Sequence, residues 1–397
     1  MRPGFLLLMI LVGLNLRPAL SSLAPVLARI QADLGLSAAA VGALTTMPVL
    51  CLGLFAPLAP WLSRRLGIER TLSLALLLLA LALWLRASHS VGLLFLGTAL
   101  AGAAIGISGT VLPVLVKREL PRGADLMTGV YTMALCLGGA LGAGLSIPLA
   151  DWLGGWDASL ASWSLLAAAA LLGWRIMMPH PWPGRVSRPQ DRPGRGLLAS
   201  PLAWQVTLLM GSQSSLAYIA FGWLPTLLQR RNVGEAEAGL LLAVSVFVQL
   251  FSALAAPWLA RLGRDQRPML LLLLSLVGVG FYCLLQGPPM LRWPGVIALG
   301  LGQGGSFSLA LTLLVLRSAN PVIAGQLSGM TQGIGYCVAA LGPLAVGLLL
   351  EFEASMTQVW LLLTLVVVAA MLLALLAGRN RCLDLDAQGR FITRRSD

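Results

Sequence analysis

Long apolar stretches recur along the chain, and short polar segments separate them. A helix needs about 20 mostly apolar residues to cross the hydrocarbon core of a bilayer. The stretches that approach or exceed this length are residues 4–28, 38–62, 70–88, 91–116, 125–150, 157–178, 202–228, 238–260, 268–286, 293–316, 322–350 and 356–378. The pattern predicts an all-α membrane protein with twelve transmembrane helices.

One polar segment is much longer than the other loops. It reads PHPWPGRVSRPQDRPGRGLLASP, and its many Pro, Gly and Arg residues favour a linker over a packed core. We therefore expect four parts. These are an N-terminal six-helix bundle at 1–178, a cytoplasmic basic linker at 179–201, a C-terminal six-helix bundle at 202–378 and a cytoplasmic tail at 379–397.

The composition agrees with a membrane chain, and the charges give its orientation. Hydrophobic residues make up 58% and charged residues 11%, against about 25% charged in soluble domains. The net charge is +12, but there is no basic helix or binding motif, so we expect no nucleic-acid partner. If the N-terminus is cytoplasmic, 21 of the 27 Lys and Arg residues lie on that side and five on the other. This bias predicts cytoplasmic termini in a bacterial cytoplasmic membrane, with the basic residues facing anionic lipids.

The two halves of the chain repeat each other. The loop APWLSRRLGIER at 59–70 matches APWLARLGRDQR at 256–267, and Pro25 in the first stretch corresponds to Pro225 in the seventh. Parallel six-helix repeats are typical of transporters that bind their solute between two bundles.

These features together resemble a major facilitator superfamily transporter. The repeated loops lie where that family carries its cytoplasmic signature, although Pro60 replaces its first Gly and Arg64 stands at its usual Asp. The resemblance implies a role in conformational change for Arg64, Arg65, Gly67, Arg70, Arg261, Gly263 and Arg267. Within the family, LNLRPALSSLAPVL at 14–27 resembles the first helix of the branch of cyanate permeases and 2-nitroimidazole transporters.

Arg17 is a charged residue in the middle of an apolar stretch. It lies thirteen residues after Gly4, about 20 Å along a helix and so near mid-depth of the bilayer. A mid-bilayer Arg costs at least about 2.5–3.5 kcal/mol, and all 15 Asp and Glu residues fall in loops, at stretch ends, in the linker or in the tail. Such a cation suits an anionic solute. The alternative is a structural Arg that holds the first helix against its neighbours through carbonyls and amides.

Further polar side chains occur on stretches where this family builds its cavity. Each of them suits either solute binding or hydrogen bonding between helices. With Arg17, the predicted substrate-binding set is Asn15, Ser21, Gln213, Tyr218, Gln303, Gln332 and Tyr336.

The predicted function is therefore transport of a small anionic or polar solute by alternating access, with a cyanate-like anion favoured by the resemblance. The alternative is export of neutral or weakly acidic compounds such as nitroimidazoles. An enzyme is disfavoured, because the chain has two His residues and no carboxylate pair within its apolar stretches. We expect no cofactor and no metal, a small-molecule solute and membrane lipids as partners, and a functional monomer.

Overall fold

The structure is a computed structural model, and it describes residues 3–36, 38–120, 124–177 and 196–395. Most of the predicted linker, residues 179–195, lies outside this described part. The helices of the first half are α1 (Pro3–Leu16), α2 (Pro18–Ser21), α3 (Leu23–Leu34), α4 (Ala38–Phe55), α5 (Leu58–Leu66), α6 (Ile68–Leu85), α7 (Val91–Glu119), α8 (Ala124–Leu153) and α9 (Trp156–Met177). Those of the second half are α10 (Pro201–Gln229), α11 (Glu235–Leu259), α12 (Arg267–Leu285), α13 (Arg292–Leu316), α14 (Pro321–Glu351) and α15 (Met356–Ala377), followed by strands β1 (Arg381–Leu385) and β2 (Phe391–Arg395).

Eleven membrane spans follow from length and composition among the described residues. Ten segments are long and apolar enough by themselves, and the α4–α5 pair, bent by 49°, forms an eleventh. α10 has 29 residues and is also long enough to cross, but the polar run from Ser212 to Ser215 lowers its hydropathy. With α10, the arrangement agrees with the twelve helices predicted from the sequence.

The first span is broken rather than merely kinked. Arg17 separates α1 from α2, and Ser22 separates α2 from α3. Pro18 lacks an N–H group, and its ring clashes with the carbonyl one turn earlier, so the helix cannot run straight through this position. The break leaves Arg17 at a helix start, where its side chain can turn into the interior.

The helices form two groups that meet along a few pairs. α1, α4, α6, α7, α8 and α9 pack together, and α10 to α15 pack together. Between the groups, α8 packs on α11 and α13, and α14 packs on α4 and α7. The space enclosed by these cross-pairs lies beside the break in the first span.

Glycines on α8 allow the broken span to come close. A side chain at Gly138 would overlap the Leu14 carbonyl, and one at Gly142 would lie 2.9 Å from the Pro18 Cα. Gly139 packs against the Arg17 side-chain stem, with a β-position 3.3 Å from its Cδ. The small residues thus fix the depth and direction of Arg17.

The tail folds onto the second group of helices as an antiparallel hairpin of β1 and β2. Leu383 is fully buried; its N–H donates to the Arg317 carbonyl at 2.9 Å, and its carbonyl accepts from the Ala319 N–H at 3.0 Å. The Arg317 guanidinium donates to the Ala377 carbonyl at 3.0 Å, and burial lowers the pKa of Arg317 to about 10. The hairpin therefore covers the ends of α13 and α15.

Candidate substrate-binding site

A cavity lies between the two groups of helices, next to Arg17. It has about 450 Å³ of empty space, part of which opens to solvent. Its lining residues are Leu16, Arg17, Leu20, Leu52, Ile105, Gly109, Leu112, Tyr131, Leu135, Tyr218, Phe307, Leu311, Gln332 and Tyr336. Because both halves of the chain contribute, a solute here would contact both bundles.

Arg17 is the cation of this cavity. Its Cζ lies 4.8 Å from the centre of the Phe307 ring and 5.4 Å from that of the Phe221 ring. Both contacts are within range for a cation–π interaction. Its Nη1 is buried and has no hydrogen-bond partner, and within the described part of the chain no carboxylate pairs with it. The Arg17 guanidinium therefore lies beside the cavity without a paired anion from the described part of the chain.

Half of the predicted substrate-binding set lines the cavity: Arg17, Tyr218, Gln332 and Tyr336. The rings of Tyr218 and Tyr336 meet edge to face, with centroids 6.3 Å apart. Gln332 also reaches across the bundles, and its Nε2 donates to the Gly109 carbonyl at 2.7 Å.

The other four predicted residues have partners within their own half. Asn15 donates to the Leu11 carbonyl at 2.8 Å, and Ser21 donates to the Arg17 carbonyl at 3.1 Å. The Gln213 amide donates to the Ser214 hydroxyl at 2.7 Å. The Gln303 amide donates to the Leu216 carbonyl at 3.3 Å and accepts from Gln249 at 3.2 Å. The structure therefore does not bring these four into the cavity.

Hydrogen bonds between the bundles occur on the linker side, which we define as the side where α9 ends and α10 begins. The Ser328 hydroxyl, early in α14, donates to the Thr110 carbonyl at 3.1 Å. Lys117, near the end of α7, donates to the Val315 carbonyl at 3.1 Å. These bonds join the two bundles on the linker side of the cavity.

Sequence reasoning missed Tyr131 and Phe221. Tyr131 is almost fully buried and lines the cavity. Tyrosine content was a usable signal, because three of the chain's four tyrosines line this one cavity. No comparable signal marks Phe221 among ten phenylalanines.

Arg86 was assigned from the sequence to a loop on the far side, but it is fully buried. Its Nη1 donates to the Ala19 carbonyl, and its Nη2 donates to the Ser22 hydroxyl at 2.9 Å. Arg86 thus binds the second break of the first span, one turn from Arg17. The predicted position of Arg86 in a loop did not indicate this contact.

The predicted signature residues all lie at the linker side, away from the cavity. Arg64 and Arg65 end α5, and Gly67, with φ of +87°, starts the turn into α6, where Arg70 lies. The Arg65 guanidinium lies 4.5 Å from the Trp61 ring. In the second loop Arg261 and Gly263 are exposed, and Arg267 pairs with Asp265 at 2.7 Å.

Comparison with known proteins identifies the family. The family model described as Major Facilitator Superfamily matches residues 6–343. The chain belongs to the major facilitator superfamily. It is 37% identical over 375 residues to the transporter YycB of Bacillus subtilis (strain 168), which covers 94% of the chain and 91% of that protein. It is 32% identical to two Escherichia coli (strain K12) proteins, the 2-nitroimidazole transporter (94% of each chain) and the cyanate transport protein CynX (93% of this chain, 96% of that one).

Solved structures of this superfamily share the fold. The proton:xylose symporter XylE superposes with a TM-score of 0.76 at 15% identity, covering 93% of this chain and 94% of XylE. The human organic anion transporter MFSD10 superposes with a TM-score of 0.75 at 17% identity, covering 94% of this chain and all of MFSD10. The superfamily member described here is therefore an all-α membrane transporter of small solutes and not an enzyme.

Proposed function

We propose that this transporter carries a small anionic or polar solute bound against Arg17, with cyanate-like anions as the first candidates. The observation that supports this most is the buried, unpartnered Nη1 of Arg17 in a cavity between the bundles. The name of the 32% identical cyanate transport protein agrees with the proposal.

The energetic argument concerns the unpaired charge. A cation held away from water costs several kcal/mol unless an opposite charge or good hydrogen bonds compensate it (order of magnitude). The two phenyl rings offset part of this cost, about 0.5–2 kcal/mol for a cation–π contact. An anionic solute supplies the missing partner, so its binding offsets the free-energy cost of the unpaired Arg17 charge.

The placement of the contacts between the bundles supports transport by alternating access. We propose that both termini are cytoplasmic, in a bacterial cytoplasmic membrane, so that the linker side faces the cytoplasm. The bonds of Lys117, Ser328 and Gln332 then hold the cytoplasmic side closed. Rocking of domain 202–378 against domain 1–178, joined by the linker 179–201, would break these bonds and open the site to the cytoplasm. In this arrangement the signature loops and the tail 379–397 belong to the side that opens. We also propose that a monomer is sufficient for transport. The surrounding lipids would contact its outer surface.

A second candidate is export of nitroimidazole-like compounds. It is supported by the 32% identical 2-nitroimidazole transporter and by the aromatic residues around Arg17, which suit a flat heteroaromatic ring. Uptake into inside-out vesicles compared with right-side-out vesicles separates this export from import of an anion.

The test of the proposed site replaces Arg17 by a neutral residue of similar size. We expect Arg17→Gln to reduce anion uptake into proteoliposomes at least about 100-fold, since it removes charge-assisted hydrogen bonds to the solute. The probes are cyanate, nitrate and small carboxylates, each measured with radiolabel or by competition. Arg29→Gln is the matched control, because it removes an exposed Arg that pairs with Asp151 far from the cavity. Unchanged uptake by well-inserted Arg17→Gln protein would rule out the proposed role.

A further inference from the structure

The contacts of Arg17 restrict how a ligand can approach it. Cation–π contacts use ring faces, and here the guanidinium carbon lies over both Phe307 and Phe221. Hydrogen bonds to a guanidinium are made in its plane, at the N–H edges. A carboxylate presents two oxygens in one plane and so matches the planar N–H groups of a guanidinium.

The rest of the cavity wall is aromatic and aliphatic. Tyr131, Tyr218, Tyr336 and Phe307 supply four rings, and the remaining lining residues are mainly Leu and Ile. Aromatic rings favour offset or edge-to-face contact with another flat ring, worth about 0.5–1.5 kcal/mol beyond the buried area. A linear three-atom anion would satisfy the cation but leave most of this wall without a partner.

Few of the residues that line the cavity wall carry polar side chains. Tyr131 is almost fully buried, and the Gln332 amide is already bound to Gly109 and Ser328. The cavity thus offers one cationic group and a largely apolar wall. This matches a ligand with one anionic end and a flat apolar body.

We propose that the preferred solute class is a planar aromatic monocarboxylate, with its carboxylate on the guanidinium of Arg17 and its ring against Phe307 and Tyr336. This inference rests on the proposed function, in which Arg17 binds the solute, and it places aromatic carboxylates ahead of cyanate-like anions among the candidate solutes. Phe307 and Tyr336 come from different helices of the second bundle, whereas Arg17 comes from the first. Such a solute therefore joins the two bundles through its two ends.

Binding to the purified full-length transporter tests this with four probes. Benzoate carries ring and charge, cyclohexanecarboxylate carries the charge on a non-planar ring of similar size, cyanate carries charge without a ring, and benzamide carries the ring without charge. By isothermal titration calorimetry we expect benzoate to bind about three- to tenfold more tightly than cyclohexanecarboxylate, from the ring contacts alone. Cyanate and benzamide should both bind more weakly than benzoate.

Two variants assign the preference to the ring wall. Phe307→Leu should bring benzoate and cyclohexanecarboxylate to within about twofold of each other, because the flat contact is lost. Phe251→Leu is the matched control, since Phe251 is exposed on the outer surface of α11 and should leave the ratio unchanged.

The outcomes separate this inference from the proposed function. Equal binding of benzoate and cyclohexanecarboxylate, or tighter binding of cyanate, with all binding lost in Arg17→Gln, overturns the aromatic preference and keeps the anion site. Anion binding that persists in Arg17→Gln overturns both. A benzoate preference that survives Phe307→Leu overturns the assigned ring position.

Discussion

Two arginines flank the short helix α2, and their different partners give them different roles. Arg86 is fully buried, and its guanidinium donates to the Ala19 carbonyl and the Ser22 hydroxyl. Arg17 has Nη1 without any hydrogen bond and two phenyl rings beside it. Arg86 therefore binds the break, whereas we propose that Arg17 binds the solute.

Replacing Arg86 should loosen the break. We expect Arg86→Met to lower the free energy of unfolding by about 1–3 kcal/mol, because buried oxygens at Ala19 and Ser22 lose their donors. The measurement is the midpoint of thermal unfolding in detergent. Arg29→Gln should move that midpoint little, since exposed ion pairs contribute about 0–1 kcal/mol. An Arg86→Met midpoint equal to that of the unaltered protein would show that the contact adds no stability.

At the scale of elements, the site depends on how closely α8 approaches the first span. The backbone of Leu14 and Pro18 lies where side chains at Gly138 and Gly142 would be. Two helices can come this close only where one lacks side chains. The break that Pro18 causes and the glycines of α8 therefore act together, and neither alone would direct Arg17 into the cavity.

A methyl group at this contact should push the elements apart. We expect Gly138→Ala to destabilise the transporter by about 1–3 kcal/mol and to weaken anion binding, because its Cβ overlaps the Leu14 carbonyl. Gly144→Ala on the same helix is the control: a Cβ there meets no atom within 4 Å. Thermal unfolding and calorimetric binding of both variants check this. Equal behaviour of the two variants would contradict a close α8 contact.

At the scale of the whole molecule, the proposed alternating access requires the contacts on the linker side to open. Hydrogen bonds join α7 to α14 and α7 to α13 across the two bundles. Near these bonds, the β-position of Gly325 lies 3.3 Å from the Val114 Cγ2. This spacing allows a disulfide between cysteines at the two positions.

Locking the linker side should stop transport without removing the site. We expect V114C/G325C, once oxidised, to lose uptake, and reductant to restore it, because α7 and α14 must separate in each cycle. Anion binding measured by calorimetry should persist in the oxidised protein. The single variants V114C and G325C, oxidised in the same way, control for the five native cysteines. Full uptake by a completely cross-linked sample would mean that this contact does not open.

The sequence predicted more of the fold than of the site. Apolar stretches of membrane length gave the helices, and the loop repeat indicated the two halves that the superfamily match confirms. Among site residues, Arg17, Tyr218, Gln332 and Tyr336 were placed on cavity-forming helices and do line the cavity, whereas Asn15, Ser21, Gln213 and Gln303 do not. All eight are polar side chains on apolar helices. Composition therefore could not separate those that face the cavity from those that bond to neighbouring helices.

The sequence by itself determined that this chain is a membrane protein of two repeated halves with a permanent cation inside its first span, because hydropathy and guanidinium chemistry are properties of the residues alone. Only the tertiary structure decided which groups meet that cation. Rings from α10 and α13 contact Arg17, and α8 packs against its stem because glycines leave room. The hydrophobic pattern of a helix indicates which of its faces is buried. Which helix packs against that face depends on how all the helices pack together.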